Sequence, residues 1–397
     1  MMGLMQQRST RIPEGELAID CRALPEVRIS SSRGFGLQKM LAGKTPQQAI
    51  GLMPVLFSVC GYAHKEAARL ALGAALGDQD IALAQEREQR SEQQLMVLVE
   101  SCRESLLRLM LDCYPAVYGK SAPVDTLSFL GGLCQRFSPA LTAFNGQDSR
   151  ACSRMVAALG DFVRNLLFAG DIEGFTRLNS IPGLLRWCQL SECFAADLLT
   201  TVSDMSSCVS GDDANAVFGR GLMSQDLAGI APVLIGRDAA GFIARPTLND
   251  SPVNTGCLAR QQQHPLMKSF SLAPQLALLQ LWCARLLDIA AMPEALKGIS
   301  AGAPANWAFS AHRGLGGRGS GLVDAARGAL VHSVELHAGR IHRYGIVAPT
   351  EWNFHPQGWV ARLLGQIDAP SPALTRQAML WVIWGADPCV GFQLEVQ

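Results

Sequence analysis

The sequence predicts a mainly α protein, α+β in class, with small β-hairpins near the N-terminus and around residues 329–347. Three observations carry this. Apolar residues recur with the 3.6-residue period of a helix through most of the chain after about residue 45. Strict apolar–polar alternation, the mark of a half-buried strand, is confined to two short stretches. A hydrophobic fraction of 49% over 397 residues is enough to fill a sizeable core.

Taken in order, residues 11–30 alternate through Leu17, Ile19, Val27 and Ile29, with Pro25 near a turn, which reads as a hairpin. Thr45-Pro46-Gln47-Gln48 reads as a helix start, because proline at the first helical position gives up an N–H that has no partner there anyway. Residues 84–113 form a long amphipathic pattern, charged first and apolar later, and helical patterns recur near 151–169, 192–206, 273–291 and 372–385. Trp381 and Trp384 lie on the last of these and read as core, on a helix that leads to Asp387. The most apolar stretch, Leu272 to Met292, is interrupted by Pro274, Arg285 and Asp288, so it reads as a buried helix and not a membrane span.

Residues 298–321, rich in Gly, Ala and Ser, read as a loop. The run from Gly314 to Gly321 lacks the Gly-Lys-Ser/Thr ending of a phosphate-binding loop. Beyond it, Ala329 to Val347 alternates around Ala338-Gly339, a hairpin turn. His332, His337 and His342 are five apart, which puts neighbours on opposite faces of a strand, and they read as surface histidines. Neither a repeat nor a clean linker is visible, so residues 1–397 read as a single domain.

With 34 basic and 34 acidic residues the formal net charge is zero, which gives no electrostatic case for nucleic acid or an anionic membrane surface. Twelve cysteines without a CxxC pair read as reduced thiols in a cytoplasmic protein. The first eight residues lack an apolar signal core and a twin-arginine pair, so no export signal is expected.

Two sparse motifs carry the chemistry. Cys60-Gly61-Tyr62-Ala63-His64 lies upstream, and Asp387-Pro388-Cys389 lies near the end. Alone, a cysteine is more often a small buried hydrophobe than a ligand, and a lone histidine is more often a hydrogen-bonded core residue. Arg327 alone reads as a loop arginine paired with Asp324 or Glu351, and Thr350 as a hydroxyl turn after Pro349.

Read together, the motifs resemble those of the large subunit of nickel–iron hydrogenases, Arg-x-Cys-Gly-x-Cys-x-x-x-His and Asp-Pro-Cys-x-x-Cys-x-x-His, each with one cysteine replaced. Phe57 and Phe392 stand where those cysteines belong. Five further segments match in family order: Glu14 to Ile19, Gly36 to Lys44, Thr255-Gly256-Cys257-Leu258-Ala259-Arg260, Gly321 to Leu330, and Ala348-Pro349-Thr350-Glu351-Trp352-Asn353. Residues 100–240 match no motif.

The resemblance implies roles residue by residue. Cys60 takes the place of a thiolate that bridges nickel and iron, Cys389 that of a nickel-only ligand, and His64 that of a hydrogen-bond donor behind Cys60. Arg327 and Thr350 fall where the family places donors to the two cyanides of its iron, and an always-charged guanidinium suits a desolvated anion. Two thiolates are too few for the family's nickel site, so nickel is not expected. Glu14 matches the acid that hands protons to an active-site cysteine. Gln38 replaces a magnesium-binding glutamate and Glu395 the terminal histidine, which puts a magnesium site in doubt. Only Val396 and Gln397 follow Glu395, so no cleavable nickel-proofreading tail is expected.

The balance of kept and lost residues resembles the large-subunit-like hydrogenase maturation proteins, the HupK/HoxV type. That resemblance implies a scaffold, not an enzyme. It would receive an iron–dicyanide–carbonyl group, Fe(CN)2CO, from delivery chaperones and pass it to the immature hydrogenase large subunit. Whether Cys60 alone or Cys60 with Cys389 would hold iron stays open. The alternatives are a diverged catalytic large subunit and a purely structural relative.

Overall fold

The computed structural model describes residues 15–32, 40–77, 86–144, 149–210, 217–303 and 307–396. Glu14 and Gln38 lie outside the described residues. The principal helices are α1 (Pro46–Leu56), α2 (Gly61–Leu76), α3 (Glu86–Arg108), α4 (Leu133–Phe144), α5 (Ser149–Phe168), α6 (Phe194–Ser206), α7 (Ala277–Ser300) and α8 (Pro372–Ala386). Two sheets accompany them. Strands β1 (Glu16–Ala23), β2 (Glu26–Ser31) and β7 (Gly391–Glu395) form one in the order β2-β1-β7; β3 (Phe309–Arg313), β4 (Arg318–Ala325), β5 (Gly328–His337) and β6 (Arg340–Val347) form an antiparallel meander.

Local chemistry accounts for the ends of these elements. The Thr45 hydroxyl accepts the Gln48 N–H while the Gln48 side chain accepts the Thr45 N–H, a reciprocal cap with Pro46 at the first helical position. The β5–β6 hairpin turns at Ala338 and Gly339, both with positive φ (48° and 72°). Positive φ at both central residues suits the right-handed twist of the strands. α7 is buried on nearly every side and forms the axis of the largest apolar cluster, with α5, α6 and α8 against it. It is long and apolar enough to cross a membrane by composition, but 83% of its apolar window is buried inside the protein. Trp381 lies edge-to-face on Trp282 of α7, with ring centroids 5.4 Å apart, in that same core.

The expected loop over residues 298–321 is overturned. Residues 298–321 contain β3 and the first half of β4, with the Gly314–Gly317 stretch as their hairpin turn. The glycines that weaken strand propensity are required by packing. A Cβ on Gly319 would sit 2.2 Å from the Ala71 carbonyl oxygen, and one on Gly321 would sit 2.5 Å from that of Ala67. α2 therefore lies directly on the bare backbone of β4.

Candidate functional site

The site is built around the turn between β4 and β5, whose two loop residues are Ala326 and Arg327. Several segments fix it. Gly328 has φ 127°, and a Cβ there would lie 2.2 Å from the Thr255 hydroxyl; Gly256 has φ 86°, and its Cβ would lie 2.7 Å from the Arg327 carbonyl. Only glycine allows both the conformation and the approach. Asn353 Nδ2 donates to the Arg327 carbonyl (3.1 Å), and its Oδ1 accepts from the Thr255 N–H (3.0 Å) and Trp359 Nε1 (3.2 Å). Arg260, held by both oxygens of Asp288 at 2.7 Å, donates to the carbonyls of Ala325 and Ala326. Three matched segments, 255–260, 321–330 and 348–353, thus close on one turn.

That turn aims a buried guanidinium. Arg327 Nη2 donates to Glu104 (3.2 Å), and Nε lies 3.3 Å from Asp387 without the alignment of a hydrogen bond. Asp387 is 1% exposed and also accepts from Arg108 Nε (2.7 Å) and Arg285 Nη2 (2.6 Å). Burial opposes its ionisation, but Arg327, Arg285 and Arg108 outweigh burial and hold the carboxyl well below the usual carboxylate range. Burial outweighs Arg327 and Arg103 at Glu104 and raises it. Arg108 also pairs with Asp112 at 2.6 Å, one turn on, within a π-helical turn over Leu109–Cys113. Three guanidiniums therefore converge on one firmly ionised carboxylate.

Both motif cysteines lie within electrostatic reach of this centre. They are among the groups that hold the Arg327 guanidinium charged, behind Asp387 and Glu104 and against the opposing effect of burial. Cys389 follows the end of α8, where Asp387 adopts a left-handed conformation (φ 52°, ψ 72°) and Pro388 stops the helix. Thr350 Oγ1 donates to the Cys389 sulfur (3.1 Å) and accepts the Cys389 N–H (3.1 Å). Cys60 is the residue before α2, and the first N–H groups of that helix, at Tyr62 and Ala63, are taken by the buried Glu100 carboxylate at 3.0 Å each. Burial pushes Glu100 up to about 7 despite those two bonds.

His64 lies one helical turn beyond Cys60 and is 2% exposed. Phe57 stacks flat on its ring, with centroids 3.4 Å apart. His64 Nδ1 is 2.9 Å from His332 Nε2, and His332 Nδ1 is 2.7 Å from the Tyr344 hydroxyl. His332 is fully buried, which corrects its reading as a surface histidine; α2 covers that face of the sheet. His337 and His342 are exposed, as expected, but they stand on two strands of one hairpin and their rings lie 6.4 Å apart, so their spacing does not separate them.

The local partners expected for Arg327 are engaged elsewhere. Asp324 pairs with Arg260, and Glu351 accepts the Ala348 N–H of its own helix. Phe392 sits in β7 opposite Leu17, and Glu395 pairs with Arg22 at the surface. Among the described residues no group of three or more His, Cys, Asp or Glu side chains is arranged to hold an ion. Sequence reasoning missed Arg108, Glu104, Arg285, His332 and Tyr344. Arg285 carried a usable signal: a charge inside an otherwise apolar helix demands a buried partner.

Comparison with known proteins fits this arrangement. The chain is 31% identical to the hydrogenase expression/formation protein HupK of Rhizobium leguminosarum bv. viciae over 396 residues, covering 96% of this chain and 97% of that one. The chain belongs to the HupK family. Within it, the HupV protein of Azotobacter chroococcum is 28% identical across 91% of each chain. A family model for nickel-dependent hydrogenases matches residues 290–363, a span that holds Arg327 and Thr350 but neither cysteine. The oxidised nickel–iron–selenium hydrogenase of D. vulgaris Hildenborough superposes with a TM-score of 0.60 at 16% identity, covering 95% of this chain and 94% of that one. The HupK-family chain therefore has a hydrogenase large-subunit-like fold.

Proposed function

We propose that this chain is a hydrogenase maturation factor that transiently holds an Fe(CN)2CO group and passes it to the immature hydrogenase large subunit. Cys60 is the anchoring thiolate, with Cys389 as the second, and Arg327, Thr350 and His64 surround the cargo. One observation carries the reading: the buried Arg327, its turn fixed by three segments, lies near enough to both thiols to feel their charge, while its Nε lacks an aligned acceptor. Divalent iron with two cyanides is neutral, so thiolate ligands make the held group anionic. A centre of three guanidiniums around one carboxylate is complementary to such a group.

Nickel has no place in this reading, because Phe57 and Phe392 replace two of the thiolates that its site would need. No bond-making catalysis is assigned. The hold by few thiolates suits release, since a carrier must surrender its cargo. A cavity of about 350 Å³ lined by Phe57, Ser58, Gly61, Lys65, Glu100 and Arg103 reaches the chain on either side of Cys60 and offers an entry route. Names of relatives, hydrogenase expression/formation protein, support the maturation role. Iron–cyanide delivery chaperones in the cytoplasm are the proposed donors.

The test is co-expression with the maturation machinery, an infrared spectrum in the cyanide and carbonyl window, and metal analysis of the same sample. Cyanide and carbonyl bands with iron and without nickel are expected, and Cys60→Ala should abolish them. Full retention in that variant refutes the site. Stoichiometric nickel would turn the reading toward a catalytic centre.

A further inference from the structure

The chain of contacts behind His64 sets which of its nitrogens carries the hydrogen. Tyr344 is 4% exposed and sits in an apolar cluster with Leu41, Met53, Leu72 and Val334. Among the described residues its hydroxyl has one hydrogen-bond partner, His332 Nδ1. If His332 Nδ1 carried the hydrogen, the Tyr344 O–H would be left buried without an acceptor, which costs more than an ordinary hydrogen bond returns. Tyr344 is therefore the donor and His332 Nδ1 the acceptor. Burial pushes the His332 pKa down to about 3, so its ring is neutral and its one hydrogen lies on Nε2. That N–H donates to His64 Nδ1 at 2.9 Å. A neutral His64 ring then has its own hydrogen on Nε2, the nitrogen not engaged by His332.

We infer that Tyr344 and His332 are positioning residues that lock His64 as an Nε2–H donor toward the Cys60 sulfur or a ligand of the iron it holds. Phe57, stacked flat on the ring, fixes the plane of the same imidazole and blocks its rotation. The tautomer assignment stands on the contacts of these three side chains and the burial of His332; its use toward the cargo rests on the function proposed above. A donor opposite a thiolate withdraws charge from sulfur, weakens its donation to iron and moves the carbonyl and cyanide stretching bands.

The test reads the tautomer directly. Protein labelled with ¹⁵N at histidine is examined without cargo by long-range nitrogen–proton correlation, with peaks assigned by their loss in His64→Gln and His332→Gln. Both His64 and His332 should show a pyridine-type Nδ1 and a pyrrole-type Nε2. In Tyr344→Phe the His332 donor pattern should become mixed or reversed, and the His64 pattern with it. An Nδ1–H on His64 in the wild type, or unchanged patterns in Tyr344→Phe, overturns the inference. Cargo-loaded Tyr344→Phe should retain iron and show displaced carbonyl and cyanide bands; unmoved bands overturn the role toward Cys60. If the wild type never loads cargo while the nitrogen patterns hold, the proposed function has failed and the tautomer lock has not.

Discussion

Gly321→Ala tests whether the seating of α2 on β4 sets the position of Cys60. Gly321 pairs with Ala311 and His332 in the sheet, and its backbone does not need positive φ. An alanine Cβ there would lie 2.5 Å from the Ala67 carbonyl oxygen, 2.7 Å from Leu70 Cβ and 2.8 Å from the Ala71 N–H nitrogen. Restoring ordinary contact at 3.4 Å requires helix and strand to part by about 0.9 Å, the difference between 3.4 and 2.5 Å. All three obstacles are helix backbone or its first side-chain atom, so no rotamer can relieve them. Loss of unfolded-chain freedom would by itself stabilise the alanine variant by about 0.4–1 kcal/mol. Overpacking costs about 1–3 kcal/mol and wins. The net expectation is a loss of about 1–2 kcal/mol in urea unfolding. Because Cys60 immediately precedes α2 and His64 lies in it, on the proposed function the folded variant should also lose its cyanide and carbonyl bands in the infrared. A variant as stable as wild type, with unchanged bands, would show that the helix is not seated by this glycine.

Glu100 gives a pH test. Its carboxyl is raised in the fold to about 7, so folded protein binds a proton that unfolded protein releases. Its contribution is full below the ordinary carboxylate value, is lost as pH rises toward 7, and is flat above it. Between pH 5 and 8 the wild type should lose ~2 kcal/mol from this group, and Glu100→Gln should flatten that slope. A slope that survives the substitution would assign it elsewhere. Asn353→Ala strands the Arg327 carbonyl, the Thr255 N–H and the Trp359 N–H in a buried place and should cost about 3 kcal/mol or more by urea unfolding. Asp387→Asn removes the anion shared by three arginines and should cost ~3–5 kcal/mol at pH 7. The wild-type contribution of Asp387 is present above the ordinary carboxylate pKa and is lost only as pH falls through its depressed folded value, so the gap between the two proteins should narrow in strong acid.

The helices were legible because helix period and caps are local: Thr45 and Gln48 specify their turn within four residues. β3 and β4 were not, because glycine at 319 and 321 answers to α2, a helix some 250 residues away in sequence, and nothing nearby signals it. His332 shows the same limit. Odd spacing correctly separated the faces of β5, but which face is covered depends on α2. For the site, Cys60, Cys389, Arg327, Thr350 and His64 could be named from resemblance. The partners of Arg327 could not, since Glu104 and Asp387 come from α3 and the end of α8. Local reading offered Asp324 and Glu351, and both are committed to other groups.

The pattern of kept and replaced residues divides along physical lines. Gly256, Arg260, Gly328 and Asn353 all act on backbone: two allow close approach, and two hold carbonyls of a single turn. Their shared product is the direction of one guanidinium. The replaced positions do not touch that turn. Phe57 lies flat on His64, Phe392 joins the core beside β1, and Glu395 pairs at the surface with Arg22. A chain under pressure only to keep its fold has no reason to hold a buried arginine so firmly, because a guanidinium that needs Glu104 and the shared carboxylate of Asp387 is a poorer core element than a hydrocarbon of the same volume. On the proposed reading the expense has a purpose: the arginine must already point at the anion before the cargo arrives, since a flexible guanidinium would spend much of the binding energy on being ordered. On that same reading Phe57 stiffens the imidazole behind Cys60, since it stacks flat on the His64 ring.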